Sequence, residues 1–511
     1  MYSILASMKI LTAQQIRETD AYTIEHEPIE SIDLMERAAK ICVDWITKHL
    51  DKTKPFRFFC GLGNNGGDGL AIARMLHEKD YKVHVYVVRH SQNCSEEFKV
   101  NEQRLIKINI NIVDLAEDFE SKIDLESDDI IIDAIFGSGL NKPIEGWVGE
   151  LVQLINRSTC EIISIDIPSC LFCEDNSKND FKKIVKATNT LTFEVPKLAF
   201  LFPSTGECTG VFTILDIGLD KEFISGIKSP NNFLAKKDVL PLLKSRTKFS
   251  HKGTYGHALL VAGSYGKMGA AVLSSHACMK SGAGLLTTHV PKCAYEIMQT
   301  SIPEAMISVD SSEHFLSDNI HLDKYDAIGI GPGIGTEKQT QNILKLLIQN
   351  SSIPMVIDAD AINIISENKT WIPFIPKNSI LTPHPKEFER LVGKIADDYE
   401  RYKTQKEFAL NNGVYVILKG AHTSIACPDG EVYFNSTGNP GMAKGGSGDV
   451  LTGIITGLLA QGYTPKEACI VGVYMHGLAG DIAAEDFGQE SMIASDIIKS
   501  LGEAFKFIRH Q

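Results

Sequence analysis

Hydrophobic and polar positions in the first half of the chain follow two periods, one typical of helices and one typical of strands. Between Thr12 and Leu50 apolar residues recur every three or four positions, which predicts helical structure. Further along, short apolar runs alternate with helix-like segments. Strands are predicted at 55–60, 83–88, 129–133 and 161–166, and a helix at 70–78 follows a glycine-rich turn. This alternation predicts an α/β fold: a Rossmann-like three-layer αβα sandwich with a parallel sheet.

The same alternation returns in the second half, after a change of character around residues 216–245. The segment Ser229-Pro-Asn-Asn232 is typical of a linker. Beyond it, strands are predicted at 258–262, 327–330, 354–358 and 414–418. We therefore predict two α/β domains, over residues 1–230 and 231–511.

Composition and charge narrow the possible function classes. The chain has 51 Lys and Arg against 64 Asp and Glu, a formal net charge of −13, so it has no general attraction for nucleic acid or anionic lipid. No apolar run reaches the ~20 residues that a membrane helix needs. Residues 1–7 lack the features of a signal peptide, and Met8 is an alternative start with residues 1–7 as an extension. Eleven irregularly spaced cysteines indicate reduced thiols in a cytoplasmic protein.

Gly61, Gly63 and Gly66 form a G-x-G-x-x-G pattern between a predicted strand and a predicted helix. In dinucleotide-binding domains an acidic residue follows about 20 positions later, at the end of the next strand. Here that strand ends at Val88-Arg89. The glycines therefore predict a phosphate-binding turn rather than a standard NAD redox site, with a tight turn that binds no ligand as the alternative.

Polar residues also follow three predicted strands of the first half. These segments are 64–68, which begins Asn64-Asn65, 133–143, which begins with Asp133, and Asp166-Ile-Pro-Ser169. Ligands of open α/β sheets bind at the carboxyl edge, so we expect the segments to meet there. Amide, carboxylate and hydroxyl oxygens suit a hard cation rather than zinc. The one close cysteine pair, Cys170 and Cys173, lacks the second pair that a zinc site needs. For each aspartate taken singly, helix capping is the alternative.

A second glycine-rich segment, Gly445-Gly-Ser-Gly448, precedes Asp449 and an apolar helical run. The free N–H groups and positive dipole end of a helix N-terminus form a site for phosphate or a developing oxyanion. Asp449 is placed to take a proton from a hydroxyl nucleophile. No G-x-x-x-x-G-K-[ST] motif is present, so the chain is not a P-loop NTPase. Other strand ends add the segment 419–423, which could hold nucleotide phosphates, the turn containing Gly333, and His384.

These motifs resemble two enzyme families. The first half resembles NAD(P)H-hydrate epimerase domains, through Gly-Asn-Asn-Gly-Gly-Asp-Gly, Asp-Ala-Ile-Phe-Gly-Ser-Gly-Leu and Ile-Asp-Ile-Pro-Ser. The second half resembles ADP-dependent NAD(P)H-hydrate dehydratases of the ribokinase-like superfamily, through Thr-Pro-His-Pro-Lys-Glu and Asn-Pro-Gly-Met-Ala-x-Gly-Gly-Ser-Gly-Asp. The order of these two sets of motifs along the chain is similar to that in bifunctional repair enzymes. The resemblance implies epimerisation of the R and S hydrates of NADH and NADPH (NADHX and NADPHX). It also implies dehydration of the S form, with ADP converted to AMP and phosphate.

The resemblance also implies the site residues of each half. Asp166 would be the catalytic acid/base of the epimerase, and Asp449 the base of the dehydratase. The implied epimerase substrate-binding residues are Asn64, Asn65, Gly66, Gly67, Asp68, Gly137, Ser138, Gly139, Leu140, Asn141, Lys142, Pro143 and Asp166. The implied potassium ligands are Asn65, Asp133 and Ser169. The residues implied to contact the hydrated nicotinamide nucleotide are Ala270, Gly333, His384 and Asp449. Those implied to bind ADP, used with magnesium, are Lys419, Gly420, Ala421, His422, Thr423, Gly445, Gly446, Ser447 and Gly448.

Two positions depart from the family pattern. Cys170 stands where the family has Gly after Ile-Pro-Ser. If that position requires a positive φ, cysteine strains the backbone by roughly 1–2 kcal/mol. Lys444 stands where the family commonly has Thr, and a lysine there could reach a phosphate.

Two other interpretations stay open at this point. One is a ribokinase-like vitamin-precursor kinase fused to a non-catalytic ligand-binding domain, because such kinases share the glycine-rich motif and the base. The other makes the first half a ligand-sensing or protein-binding module, against which the presence of Asn65, Asp133 and Asp166 argues. The expected partners are small-molecule substrates, with no nucleic acid and no membrane, and the chain is expected to form a homo-oligomer.

Overall fold

The computed structural model of the protein describes residues 8–510. The proposed extension, residues 1–7, lies outside the described residues, as does Gln511. The chain divides into two compact units. Lys9–Ser229 forms the first unit, and the chain from Pro230 onward forms the second together with Met8. No described helix is long and apolar enough to cross a membrane.

The first unit is built on a parallel sheet. Its described strands are β2 (Phe56–Cys60), β3 (Val83–Val88), β4 (Ile112–Leu115), β5 (Ile130–Ala134), β6 (Glu161–Ile165), β7 (Asn189–Phe193) and β8 (Val211–Leu215), numbered after β1 (Met8–Lys9). Their order is β4-β3-β2-β5-β6-β7-β8, and all neighbours are parallel. The helices are α1 (Ala13–His26), α2 (Ser31–His49), α3 (Asn64–His77), α4 (Glu96–Lys107), α5 (Trp147–Arg157), α6 (Pro203–Thr209) and α7 (Lys221–Gly226). The strand order reverses direction between β2 and β5, which is where open parallel sheets bind ligands.

Helix α3 begins at Asn64, and the prediction that it begins near residue 70 is wrong. Of the glycines that predicted a turn, Gly61 and Gly63 precede the helix, whereas Gly66 lies inside it, as does Gly69, and both allow close packing. A Cβ on Gly66 would lie 1.8 Å from the carbonyl oxygen of Gly61, and one on Gly69 would lie 2.6 Å from Cβ of Ala134. They therefore bring the helix N-terminus close to the ends of β2 and β5.

The second unit contains a larger mixed sheet. Its strands are β9 (Asn231–Phe233), β10 (His257–Val261), β11 (Leu285–Val290), β12 (Met306–Val309), β13 (Ala327–Ile330), β14 (Met355–Ile357), β15 (Ile380–Leu381), β16 (Tyr415–Leu418), β17 (Ser424–Ala426) and β18 (Val432–Phe434). The described order is β1-β9-β18-β17-β16-β15-β14-β13-β10-β11-β12. The pairs from β16 to β12 are parallel, and β17 is antiparallel to both of its neighbours. The second half of the predicted linker is strand β9, which pairs with β18.

Helices cover the parallel part of this sheet. They are α8 (Lys236–Val239), α9 (Met268–Lys280), α10 (Tyr295–Ser301), α11 (Lys338–Asn350), α12 (Ala359–Glu367), α13 (Pro385–Val392), α14 (Asp398–Asn412), α15 (Ser447–Ala460), α16 (Pro465–Phe487) and α17 (Ala494–Arg509). Helix α15 is apolar and buried from Val450 onward, and it packs on α9. A Cβ on Gly453 would lie 2.1 Å from the carbonyl oxygen of Ser274. This close contact fixes α15, whose N-terminus forms part of the site described below.

Two candidate active sites

The first unit contains a cavity of about 710 Å³, here called the first cavity. It lies at the ends of the strands around β2 and β5, where the strand order reverses. The predicted site residues that line it are Asn64, Asn65, Asp68, Gly137, Ser138, Gly139, Leu140 and Asp166. Gly66 and Gly67 instead face Gly61 and Met35. Asn141, Lys142 and Pro143 are exposed and do not line the cavity. The first cavity therefore collects most of the predicted residues, but not the end of the 137–143 segment.

Asp166 lies directly after strand β6 with a positive φ of 64°, a sparsely populated conformation for a residue other than glycine. Its Oδ1 accepts a hydrogen bond from Nζ of Lys197 at 2.5 Å. Lys197 is completely buried, and Nζ also donates to Oγ1 of Thr192 at 2.7 Å. The ammonium group therefore compensates the charge of the Asp166 carboxylate from beneath the cavity.

Sequence reasoning missed Lys197. It stands in Val195-Pro-Lys-Leu-Ala-Phe-Leu201, an otherwise apolar stretch that follows strand β7. A lone lysine among buried residues is a signal in itself, because a buried charge requires a partner. Nothing local indicates that this partner is Asp166, 31 residues earlier.

Two further carboxylates line the first cavity beside Asp166. Asp68 comes from α3, and Asp20 comes from α1 and was not predicted. Burial, followed by the charge of Asp166, raises the pKa of Asp20 to about 6. The same two causes hold the pKa of Asp68 well above its ordinary value. The cavity therefore holds carboxyl groups in different electrostatic environments, as sites for proton transfer do.

Asp133 and Ser169 lie together beneath the first cavity. The Asp133 carboxylate is fully buried and accepts hydrogen bonds from Oγ and N of Ser169, at 2.5 and 2.8 Å, and from Oγ of Ser164 at 2.7 Å. Burial raises the pKa of Asp133, while these hydrogen bonds lower it. The Asn65 side chain is also buried, and its Oδ1 and Nδ2 have no hydrogen-bond partner among the described residues. A buried polar group left unsatisfied in this way is costly, which indicates that a ligand completes the site.

Cys170 has a φ of 74°, so the condition for backbone strain at this departure from the family pattern is met. At position 170 we expect Gly to give a protein about 1 kcal/mol more stable than Ala, the reverse of the usual order, because only Gly adopts this conformation without strain. Thermal unfolding of Cys170→Gly and Cys170→Ala measures the difference. Cys173 is also buried but has no positive φ, so it serves as the control position. There Cys173→Ala should be more stable than Cys173→Gly. A more stable Ala variant at position 170 would contradict the strain argument.

The second unit contains a cavity of about 670 Å³, here called the second cavity, at the N-terminus of α15. The predicted residues that line it are His384, Lys419, Gly420, Ala421, Thr423, Gly445, Ser447 and Gly448. His422 and Gly446 do not line it. The ring of His422 turns away, with Nδ1 3.1 Å from the carbonyl oxygen of Asn435, and Gly446 is the helix N-cap with a φ of 93°. The predicted nucleotide residues thus lie together, except for these two.

Lys419 joins three elements at this helix N-terminus. Its Nζ donates to Oδ1 of Asp358 at 3.0 Å, and Oδ2 of Asp358 accepts from Oγ1 of Thr452, on α15, at 2.7 Å. A Cβ on Gly448 would lie 3.2 Å from Nζ of Lys419. The ammonium group is therefore held beside the free N–H groups of α15, and together they form an anion-binding site.

Asp449 lies in the first turn of α15, close to this network, but it is not among the described residues that line the second cavity. It makes no hydrogen bond to another described residue, so its carboxylate is available to a ligand. Burial and the charges of Asp358 and Asp360 raise its pKa to about 6, and Lys419 opposes them. A carboxylate with a pKa just below neutrality is suited to act as a general base.

The remaining predicted substrate residues lie around the loop that precedes α9. A Cβ on Gly333, whose φ is 64°, would lie 3.1 Å from Cβ of Ala270. Asp360 accepts from Nζ of Lys267 at 3.1 Å and from N of Gly335 at 2.9 Å. Gly333 and Ala270 are thus neighbours on a surface next to the acidic groups, whereas neither lines the second cavity.

Lys444 lines the second cavity, and that it could reach a phosphate there stays a prediction. Its Nζ donates to the carbonyl oxygens of Glu490 and Met492, the latter at 2.8 Å. Two acceptors that lie close together in the loop before α17 hold the amine there. Lys444 therefore ties the glycine-rich loop to that segment.

Comparisons with known proteins cover both units. Residues 258–503 match the NAD(P)H-hydrate dehydratase family, and residues 31–199 match the YjeF-related protein N-terminus family. The bifunctional NAD(P)H-hydrate repair enzyme of Moorella thermoacetica is 35% identical over 97% of this chain and 96% of its own length. The enzyme of the same name from Escherichia coli is 29% identical over 96% of this chain and 92% of its own. A Bacillus subtilis ADP/ATP-dependent NAD(P)H-hydrate dehydratase, co-crystallised with ATP and Mg²⁺, is 32% identical with a TM-score of 0.49, over 54% of this chain and 98% of that one.

Proposed function

The chain belongs to the family of bifunctional NAD(P)H-hydrate repair enzymes, and from that premise we propose which residues perform its two activities. It is an enzyme that epimerises the R and S forms of hydrated NADH and NADPH. It also dehydrates the S form back to NADH or NADPH, with ADP converted to AMP and phosphate. Full-length relatives that carry both domains do not favour a vitamin-precursor kinase fused to a non-catalytic domain.

We assign dehydration to the second cavity, as the nucleotide site, together with the adjoining first turn of α15 that carries Asp449. The observation that carries this assignment is an unpartnered carboxylate, Asp449, beside the free N–H groups of α15 and the ammonium group of Lys419. Asp449 takes the proton of the ring hydroxyl, whose oxygen attacks the terminal phosphorus of ADP. The N–H groups from Gly445 to Gly448 and Lys419 stabilise the transferred charge. Phosphate is a far better leaving group than hydroxide, and it departs with the electrons of the carbon–oxygen bond while the ring nitrogen lone pair forms a carbon–nitrogen double bond. Loss of a proton to water from the neighbouring ring carbon then restores the carbon–carbon double bond of the dihydronicotinamide ring.

Magnesium fits this second site. The negative charges of Asp358 and Asp360 raise the pKa of Asp449, so the site has room for further positive charge. When bound, the ion supplies the charge that neutralises the phosphate oxygens of ADP. Asp358 and Asp360 are the residues that would hold it.

We assign epimerisation to the first cavity, with Asp166 as the acid/base group and a potassium ion as its cofactor. Asn65, Asp133 and Ser169 would hold the ion. These three residues fit a potassium ion for two reasons. The Asn65 amide oxygen is buried and has no hydrogen-bond partner among the described residues. The hydrogen-bond donors to the buried Asp133 carboxylate are all neutral. One carboxylate with neutral oxygen donors matches a monovalent ion better than a divalent one. Potassium would supply positive charge that orients the substrate phosphates beside Asp166.

The proposed compartment is the cytoplasm. All eleven cysteines are free thiols, most of them buried, which suits a reducing environment. That the protein forms a homo-oligomer stays a prediction.

The division of labour is tested by separating the units. A fragment from Pro230 to Gln511 contains one compact unit with its own core and should fold alone. Given mixed hydrate epimers, ADP and magnesium, it should restore dihydronicotinamide absorbance until the S epimer is consumed and then slow to the rate of spontaneous epimerisation. Adding a fragment of residues 1–229 should restart the reaction, whereas the same fragment carrying Asp166→Asn should not. If the second-unit fragment alone consumes both epimers at equal rates, the assignment of epimerisation to the first cavity is wrong.

A further inference from the structure

Three carboxylates from three different elements line the first cavity. Asp166 follows strand β6, Asp68 lies on α3, and Asp20 lies on α1. Only Asp166 has a cation as a hydrogen-bonding partner, because Nζ of Lys197 donates to it at 2.5 Å. Asp20 lies before residue 31, where the match to the family of the first half begins.

Asp20 and Asp68 make no hydrogen bond to another described residue, so both carboxyl groups are available to whatever occupies the cavity. The amide of Asn65, which is 8% exposed and also lines the cavity, has no partner among the described residues either. Buried polar groups without partners indicate that a polar ligand supplies the missing hydrogen bonds. The two free carboxyl groups differ in access: Asp68 is 9% exposed, whereas Asp20 is more open and can exchange protons with solvent.

We infer that Asp20 is the proton donor that works opposite the Lys197-bound Asp166 in epimerisation. The inference rests on the proposed function of the first cavity and names a second acid/base group for it.

Inversion at the hydroxyl-bearing carbon requires both an acid and a base. Hydration of an enamine-type double bond places the hydroxyl on the carbon next to the ring nitrogen. Asp20 gives its proton to that oxygen as the carbon–oxygen bond breaks, and the bonding electrons leave with the departing water. The nitrogen lone pair forms a carbon–nitrogen double bond. A water molecule then adds to the opposite face and loses a proton to the Asp166 carboxylate. The proton count balances, since Asp20 loses one proton and Asp166 gains one, and the reverse epimerisation begins from that state.

The electrostatics of the cavity agree with this pairing. Burial, together with the charges of Asp166 and Glu194, raises the pKa of Asp20 to about 6, and Lys197 opposes the rise. A group with a pKa near the working pH both donates and recovers a proton readily. Asp68 is 9% exposed, and burial together with the charge of Asp166 holds its pKa well above its ordinary value.

The test uses the full-length protein with the R epimer of hydrated NADH, and it follows epimerisation chromatographically without ADP. Asp20→Asn should slow epimerisation by ~10²–10⁴-fold, the usual contribution of a general acid. Because Asp20 must be protonated, wild-type kcat/KM should fall as pH rises through about 6. This fall in kcat/KM with rising pH should be absent in Asp20→Asn. Asp20→Glu should retain it, with partial activity. Fluorescence of Trp45 and Trp147 during urea unfolding, in a Trp371→Phe background, reports that the first unit of each variant is folded. Glu18→Gln removes a charge from the exposed side of the same helix and should change neither activity.

Near-normal epimerisation by Asp20→Asn would overturn the inference, as would an unchanged fall in kcat/KM with rising pH. Loss of that fall in Asp68→Asn but not in Asp20→Asn would assign the donor role to Asp68 and overturn it as well. Absence of epimerisation in the wild-type protein would instead refute the proposed function of the first cavity.

Discussion

Replacing Asp449 by Asn is expected to slow dehydration of the S epimer by ~10²–10⁴-fold and to leave epimerisation unchanged. Asn keeps the shape of the side chain but cannot accept the proton of the ring hydroxyl, and general bases contribute factors of this size. Asp449 makes no hydrogen bond to a described residue, so the substitution leaves no partner unsatisfied. The loss of rate should therefore not be accompanied by a loss of stability.

The pH dependence of dehydration provides a second readout. The pKa of Asp449 is raised to about 6, first by burial and then by Asp358, and the base works only when deprotonated. Wild-type kcat/KM should therefore rise with pH up to about 6 and then level off, and Asp449→Asn should lack this rise. Asp486→Asn, an exposed change in the same unit, is the control. Dehydration within a few-fold of wild type in Asp449→Asn would refute the role of the base.

The sequence predicted the fold well where apolar runs are continuous. All eight predicted strands are present to within a residue or two, from β2 at Phe56–Cys60 to β16 at Tyr415–Leu418. Short strands such as β9, Asn231–Phe233, carry no such run. They form because a neighbouring strand supplies hydrogen bonds, which periodicity does not reveal.

Glycines in the first half were harder to interpret. Gly66 was interpreted as part of a turn, yet it lies in α3, which packs closely against Gly61 and Ala134. Glycine signals a backbone without room for a side chain, and a turn and a close helix contact meet that condition equally well. Only the tertiary structure distinguishes the two.

The sites could be predicted as far as strand ends determine them. Asp133 ends an apolar run and Asp166 follows one, and the carboxyl edge of a sheet collects such residues. The hydrogen-bond partners of side chains could not be predicted: the ring of His422 and the amine of Lys444 both meet backbone carbonyl oxygens. Ion pairs between residues far apart in the sequence could not be predicted either. Lys197 meets Asp166 only once β6 and β7 are side by side.

That pairing leads to the largest expected effect on stability. Lys197 is completely buried and Asp166 is 7% exposed, with 2.5 Å between Nζ and Oδ1. Lys197→Met fills similar space but leaves the Asp166 carboxylate without its cation. Removing one partner of a buried ion pair typically costs about 3–5 kcal/mol, because the remaining charge is uncompensated. The first unit should lose about that much unfolding free energy, and epimerisation should be lost with it.

The double variant Lys197→Met/Asp166→Asn separates stability from activity. It leaves no unpaired charge, so most of the lost unfolding free energy should return, whereas epimerisation should not because Asn cannot transfer the proton. Tryptophan fluorescence during urea unfolding can follow the first unit alone in a Trp371→Phe background, since Trp45 and Trp147 both lie in that unit. If Lys197→Met costs less than about 1 kcal/mol, as exposed ion pairs do, then Lys197 does not compensate the charge of Asp166. If the double variant is as unstable as Lys197→Met, the cost comes from lost packing around the lysine stem and not from an uncompensated carboxylate.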